Sequence, residues 1–147
     1  MGLTEAVGQG PVAVDTALFI YLIEEHPHFL DSVRALFARA DKGEIEIVTS
    51  ALTLLEVLVV PLRTGDERLA AQYDALLTRS RGVRVVDLSR DHLRTAARLR
   101  AQHGALRTPD ALQLAAAINT GCKSFVTNDR RMPALDGLRV LQLSEFV

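Results

Sequence analysis

Four acidic residues have the types and positions from which a hydrolytic metal site can be built: Asp15, Glu56, Asp110 and Asp129. Asp15 directly follows a short apolar segment, and Asp129 comes just after another. Both would stand at the carboxyl ends of strands, where the sites of parallel α/β sheets gather. A single Asp at such a place is more often a helix cap or a turn residue. The acids therefore have to be judged as a set.

Glu56 is unusual because its neighbours in the chain are almost all apolar, within the segment LLEVLVV at 54–60. A helix that is apolar on nearly every side is expected to be buried on nearly every side. An ionised carboxylate buried without a partner is costly. Glu56 is therefore expected either to form a salt bridge, with an arginine such as Arg63 or Arg107, or to serve a metal or the reaction.

Asp110 follows Pro109 in the first turn of a predicted helix, where on its own it would compensate the helix dipole by roughly 0.3–1 kcal/mol. The four acids together predict more than local stabilisation of a helix, since two lie at strand ends and two in helices that follow strand-end loops. Carboxylates cannot all stay charged close together unless a cation neutralises them. Mg²⁺ and Mn²⁺ prefer such oxygen ligands. The expected reaction is metal-assisted hydrolysis of a phosphodiester bond.

The elements that would position these acids alternate between strand and helix. The pattern predicts strands over 11–14, 45–49, 83–86, 124–127 and 140–143, and helices over 17–25, 29–42, 51–62, 66–80, 89–103 and 108–118. Ser50, Ser89 and Thr108 are the expected helix caps, and Pro61 should bend or end its helix. Such alternation indicates an α/β fold with a parallel sheet covered by helices. Residues 1–10 are predicted to be a flexible tail, and 11–147 a single domain.

The bulk composition excludes several classes of protein. The chain has 147 residues, of which 48% are hydrophobic and 24% charged, typical of one globular domain. Its net charge of -1 argues against a strongly basic, nonspecific nucleic-acid binder. We expect no membrane span and no signal peptide. Cys122 is the only cysteine, which is in keeping with a cytoplasmic protein.

Four segments carry a family resemblance, in this order along the chain: VAVDTALFIYL with Asp15, TSALTLLEVL with Glu56, RTPDALQLAAA with Asp110, and FVTNDRRM with Asp129. They resemble the signature of PIN-domain nucleases, in particular the VapC-type toxins of toxin–antitoxin pairs. The last two segments are the most specific. The resemblance spans nearly the whole chain and implies a three-layer α/β/α sandwich with a central, mostly parallel sheet.

The resemblance also implies an activity, a metal and partners. It implies a ribonuclease in which Asp15, Asp110 and Asp129 hold Mg²⁺ or Mn²⁺, while Glu56 binds metal or orients the attacking water. The polar positions expected around such a site are Thr16, Thr108, Thr127 and Asn128. Single-stranded or structured RNA is the implied substrate. The implied protein partners are a second copy, forming a homodimer, and an antitoxin whose tail blocks the site.

Three arginines lie beside the acids in sequence and are the better candidates for RNA phosphate contacts: Arg107, Arg130 and Arg131. Ala17 argues against an aspartyl-phosphate phosphatase of the haloacid-dehalogenase type, which carries a second Asp there. It also departs from the small polar residue that many PIN relatives carry. The sequence contains no glycine-rich loop followed by lysine, which argues against a P-loop enzyme. The alternative of another class is a catalytically silent PIN-like module that binds RNA or protein.

Overall fold

The computed structural model describes all 147 residues. Its strands are β1 (Val12–Val14), β2 (Ile47–Ser50), β3 (Val83–Val86), β4 (Ser124–Thr127) and β5 (Arg139–Gln142). Its helices are α1 (Leu3–Val7), α2 (Thr16–Ile23), α3 (Leu30–Asp41), α4 (Leu52–Arg63), α5 (Glu67–Arg79), α6 (Arg90–Gln102) and α7 (Thr108–Asn119), with a final 3-10 turn over Leu143–Phe146. The predicted strands and helices are all present, with ends that differ from the predicted ones by no more than two residues.

The five strands form one parallel sheet in the order β3-β2-β1-β4-β5. The chain builds β1, β2 and β3 toward one edge and then returns to add β4 on the other side of β1. The strand order therefore reverses between β1 and β4, and in parallel sheets the crevice that holds the site lies beyond the carboxyl ends of two such strands. Asp15 and Asp129 follow these two strands.

Helices cover both faces of the sheet, because alternate residues of each strand enter different cores. Val12 and Val14 of β1 pack in the core beneath α2, α3, α4 and α5, whereas Ala13 packs beneath α6 and α7. Val126 and Phe125 of β4 divide in the same way. The predicted three-layer α/β/α sandwich is confirmed, and its sheet is entirely parallel.

The helix ends confirm only some of the predicted caps. Ser89 caps α6 by accepting a hydrogen bond from the backbone of His92, as predicted. Thr108, in contrast, is not a cap: it lies inside α7, and Arg107 occupies the boundary position. Pro61 does not end α4 at once, since the helix continues to Arg63.

The predicted flexible tail is wrong for half of its length, because residues 3–7 form the helix α1. Leu3 and Val7 are buried in the core, at 3% and 2% exposure. The guanidinium of Arg39 donates hydrogen bonds to the carbonyls of Thr4 (2.7 Å) and Gly8 (3.0 Å). Apolar burial and these two bonds fix the segment, although the glycines around it suggest mobility.

Helix α4 is less buried than its sequence predicts. Leu55, Val59 and Leu62 are 60%, 39% and 55% exposed, and their spacing places them on one helix face. This α4 stripe (Leu55, Val59, Leu62) leaves apolar surface open to solvent. The opposite face holds Thr53 and Val57 in the interior. No helix of the chain has both the length and the apolar character that crossing a membrane requires.

Candidate functional site

Asp15 is half-buried and stands at the junction between β1 and α2. Its backbone N–H donates to the carbonyl of Val126 on β4, so β1 and β4 remain paired up to this point (2.9 Å). Although Asp15 is the boundary residue of α2, its side chain makes no capping hydrogen bond to the first turn of that helix. Instead, its Oδ2 accepts a hydrogen bond from the Thr127 hydroxyl at 2.7 Å. The carboxylate is thereby held at the carboxyl ends of β1 and β4, close enough to Glu56 and Asp110 to be affected by their charges.

Burial raises the pKa of the Asp15 carboxyl, and the negative charges of Glu56 and Asp110 raise it further. Hydrogen bonds from the Thr127 hydroxyl and the Thr16 backbone oppose this effect but do not overcome it. Asp15 forms no salt bridge. The crevice therefore holds a buried carboxylate beside two further acids, with no positive side chain paired to it.

Glu56 enters the crevice from α4 and is held by neutral groups. Its Oε1 accepts hydrogen bonds from the Thr16 hydroxyl at 2.7 Å and from the side-chain amide of Gln113 at 3.3 Å. It makes no salt bridge, and the expected partner Arg107 lies beside Asp110 instead. The salt-bridge explanation for an acid in this apolar helix is therefore wrong.

Asp110 projects from the first turn of α7 with a side chain that is 20% exposed. The Nε of Arg107 lies 3.5 Å from its Oδ2, and the Arg107 side chain is itself 62% exposed. This is a long, solvent-exposed ion pair, so its net stabilising effect is small. Asp110 faces Asp15 closely enough for its charge to affect the Asp15 pKa.

Asp129 is joined to Asp15 through Thr127, whose hydroxyl accepts a hydrogen bond from the Asp129 N–H (3.0 Å). The carboxylate of Asp129 is paired on both oxygens with the guanidinium of Arg131, at 3.0 and 3.1 Å. These bonds hold the pKa of Asp129 below its usual range. Arg131 is 71% exposed, so this pair faces solvent.

The donor set fits Mg²⁺ or Mn²⁺ in its chemistry, although the side chains do not form a closed cage. No three His, Cys, Asp or Glu side chains are drawn together tightly enough to hold a metal ion. Mg²⁺ does not require this, because it commonly keeps several waters and uses one or two protein carboxylates. The surroundings of Asp15 are the strongest observation in favour of such an ion. Its buried carboxylate has two acidic neighbours and is paired with no positive side chain. To bind the same ion, the Asp129 carboxylate would have to break its hydrogen bonds to Arg131.

The remaining predicted site residues divide into two groups. Thr16 and Thr127 each donate a hydrogen bond to one of the acids. Thr108 instead accepts from Arg100 (2.9 Å), and Asn128 links Tyr21 to the backbone of Ser144. Arg130 also turns away, toward Ser144 and Glu145 in the final turn.

Two residues of the site were missed by the sequence analysis. Gln113 is 4% exposed and follows Asp110 by one helical turn, and Thr53 is fully buried one turn before Glu56. Both contact the Thr16–Glu56 pair. A polar residue within the apolar run ALQLAAA was a usable signal, because buried amides need partners.

The arrangement defines a class of protein: a three-layer α/β/α domain whose acids converge where the order of a parallel sheet reverses. The family described as PIN domain matches residues 12–138, which is most of the chain. The chain therefore belongs to the PIN domain family. A search of curated proteins finds no match.

Solved structures of similar fold come from bacterial toxin–antitoxin systems. A chain of VapBC2 from Rickettsia felis, bound to a DNA fragment from their promoter, is 21% identical with a TM-score of 0.71, over 89% of this chain and 97% of that one. DNA-bound VapBC from Salmonella typhimurium gives 21% identity and a TM-score of 0.71, over 90% and 97%. VapC20 from Mycobacterium tuberculosis, a sarcin-ricin loop cleaving toxin, is 22% identical with a TM-score of 0.63, over 78% and 86%.

Proposed function

We propose that this protein is a metal-dependent endoribonuclease and the toxin of a toxin–antitoxin pair. The observation that carries the proposal is the crevice at the β1–β4 reversal, in which Asp15 is buried beside Glu56 and Asp110. Membership of the PIN domain family supports a nuclease. The similarity to VapBC structures and to VapC20, a sarcin-ricin loop cleaving toxin, supports RNA as substrate and a toxin role.

Each acid has a proposed role that follows from its surroundings. Asp15, Asp110 and Asp129 would hold Mg²⁺ or Mn²⁺, and Glu56, held by neutral donors, would orient the attacking water or add a ligand. When bound, the metal supplies a more acidic water and stabilises charge on the phosphate oxygens. Arg107 and Arg131 lie at the rim of the acids and are mostly exposed, so their guanidinium groups are available to RNA phosphates.

The test is cleavage of a circular RNA, which only an endonuclease can open, alongside a linear single strand and a sarcin-ricin hairpin. The purified chain is assayed with Mg²⁺, Mn²⁺ or EDTA, and compared with Asp15→Asn. Asp136→Asn is the matched control, because Asp136 is exposed and outside the site. We expect cleavage that depends on metal, survives in the control and falls at least a hundredfold in Asp15→Asn, on the order of the effect of losing a main catalytic group.

Protein partners are the second part of the proposal. The α4 stripe exposes three large apolar side chains next to Glu56, and such surface supports an interface, either with a second copy or with an antitoxin. We propose a homodimer, which sedimentation of the wild type against Leu55→Asp will test. A monomeric wild type would refute it. The single buried cysteine and an RNA substrate are in keeping with action in the cytoplasm.

A second candidate is a catalytically silent module that binds RNA or protein. Two observations favour it: no three acids form a ready cation site, and Arg131 already occupies both oxygens of Asp129. The same assay separates the candidates. Intact RNA in every metal, from folded protein that binds RNA in a gel-shift measurement, would favour the silent module.

A further inference from the structure

A buried chain of hydroxyl groups leads from the sheet to the carboxylate of Glu56. The Oγ1 atoms of Thr49 and Thr53 are 2.7 Å apart, those of Thr53 and Thr16 are 3.0 Å apart, and Thr16 Oγ1 lies 2.7 Å from Glu56 Oε1. The amide nitrogen of Gln113 lies 2.9 Å from Thr53 Oγ1, 3.2 Å from Thr16 Oγ1 and 3.3 Å from Glu56 Oε1. The network joins β2, α2, α4 and α7.

The donors to Glu56 can be identified from the contacts of this network. Each hydroxyl has one proton to donate, and the Thr16 proton goes to Glu56. The Thr49 hydroxyl contacts both Thr53 and the carbonyl of Val14 (3.4 Å), and the Thr53 hydroxyl contacts both Thr49 and Thr16. The Thr16 hydroxyl and the Gln113 amide are therefore the two donors to Glu56, and Thr53 contacts both of them.

Gln113 completes the arrangement and fixes its own orientation. If its amide were turned round, its carbonyl oxygen would face Glu56 Oε1 at hydrogen-bond distance, and two acceptors would meet. Its N–H groups therefore point inward. Every hydrogen bond that the protein gives to Glu56 ends on Oε1. Oε2 accepts no hydrogen bond from the protein.

We propose that Gln113 and Thr53 are positioning residues, which hold the Glu56 carboxylate so that Oε2 is presented to the cation or to the attacking water. This inference rests on the proposed function, because it gives Glu56 that task. Neither residue touches the reacting atoms: both act through Glu56 and Thr16. Without them the carboxylate would be held by the Thr16 hydroxyl alone, and Thr16 would itself have lost two of its contacts.

The test combines two readouts on folded variants: Mn²⁺ binding by calorimetry, and kcat and KM for RNA cleavage. Thr53→Val removes the hydroxyl at almost constant shape, Thr53→Ser restores it, and Gln113→Met removes the amide at similar volume. Ser124→Ala is the matched control, because Ser124 is fully buried at the far end of β4 and its hydroxyl has no partner. Circular dichroism establishes that each variant is folded, and either Thr53→Val or Gln113→Met suffices to decide.

We expect Thr53→Val and Gln113→Met to weaken Mn²⁺ binding and lower kcat by roughly 10–100-fold, the usual range for groups that orient a ligand. KM should stay within about threefold, and Thr53→Ser and Ser124→Ala should resemble the wild type. Unchanged Mn²⁺ affinity and kcat in folded Thr53→Val and Gln113→Met would overturn the inference. If the wild type binds Mn²⁺ but cuts no RNA, the proposed function fails and the calorimetry alone decides the positioning role. A wild type that neither binds nor cuts refutes both.

Discussion

Replacing Asp15 by Asn should stabilise the metal-free protein while abolishing its activity. The pKa of Asp15 is raised in the folded state, so the folded chain binds this proton more tightly than the unfolded chain does. The stabilisation that comes from this bound proton is fully present below the pKa of Asp15 in the unfolded chain. It is lost as the pH rises through the pKa of Asp15 in the folded chain. At neutral pH the charged carboxylate therefore opposes folding.

The expected gain is about 1 kcal/mol, within the range typical of relieved destabilisation at a functional site. Asn keeps the acceptor that the Thr127 hydroxyl uses, so that hydrogen bond is retained and only the charge is removed. For a chain of this length 1 kcal/mol corresponds to roughly 2–4 °C in Tm. Thermal unfolding in EDTA at pH 7 measures it. The difference between Asp15→Asn and wild type should narrow as the pH falls toward the unfolded pKa of Asp.

Saturating Mn²⁺ should reverse the order of stability. A ligand present at 100 times its Kd stabilises the folded state by about 2.7 kcal/mol, and the variant that lacks the main ligand should gain much less. Asp136→Asn, which changes an exposed acid, should stay within about 0.5 kcal/mol of the wild type throughout. A lower Tm for Asp15→Asn in EDTA would refute the electrostatic reasoning. Parallel gains for wild type and Asp15→Asn in Mn²⁺ would refute Asp15 as a ligand.

Two further predictions concern stability away from the site. Gly82→Ala should lower the free energy of unfolding, measured in urea, by at least about 2 kcal/mol. The reason is that Gly82 has a φ of +78° and a Cβ there would overlap the carbonyl of Ala40. A change below about 0.5 kcal/mol, the size of an ordinary surface substitution, would contradict this prediction. Tyr73→Phe should cost about 1 kcal/mol at pH 7, since the Tyr73 hydroxyl donates to the partly exposed Glu24 carboxylate. Stability equal to the wild type would show that this bond contributes nothing.

The order and type of the elements could be predicted because the apolar strand segments and the residues typical of helix starts and ends indicate the same boundaries. Val83–Val86 and Ser124–Thr127 have the predicted ends, since each is a short, mostly apolar run that begins soon after a glycine in a turn. Asp15 and Asp129 could be assigned to strand ends for the same reason. The reversal of strand order at β1 follows from the pairing of distant strands and was not readable from local pattern.

The failures of prediction come from tertiary contacts. The segment 3–7 is too short to be a stable helix alone, and it is fixed by burial of Leu3 and Val7 and by the Arg39 side chain. The apolar run of α4 predicts burial on all sides, but burial depends on how many elements surround a helix. Only one face of α4 meets the core, and the α4 stripe stays open.

The spacing of acids in the sequence places carboxylates near one another but does not say which oxygen of each is free. That depends on neutral groups that no acidic pattern includes. Thr127 binds one oxygen of Asp15 and the backbone of Asp129, while Gln113 and Thr16 occupy one oxygen of Glu56. Hydroxyl and amide donors fix the direction of these carboxylates without neutralising them, whereas an arginine would do both. A crevice lined in this way keeps its negative charge available for a cation. The neutral donors at Asp15 and Glu56, more than the number of acids, therefore favour a catalytic site over a set of structural ion pairs.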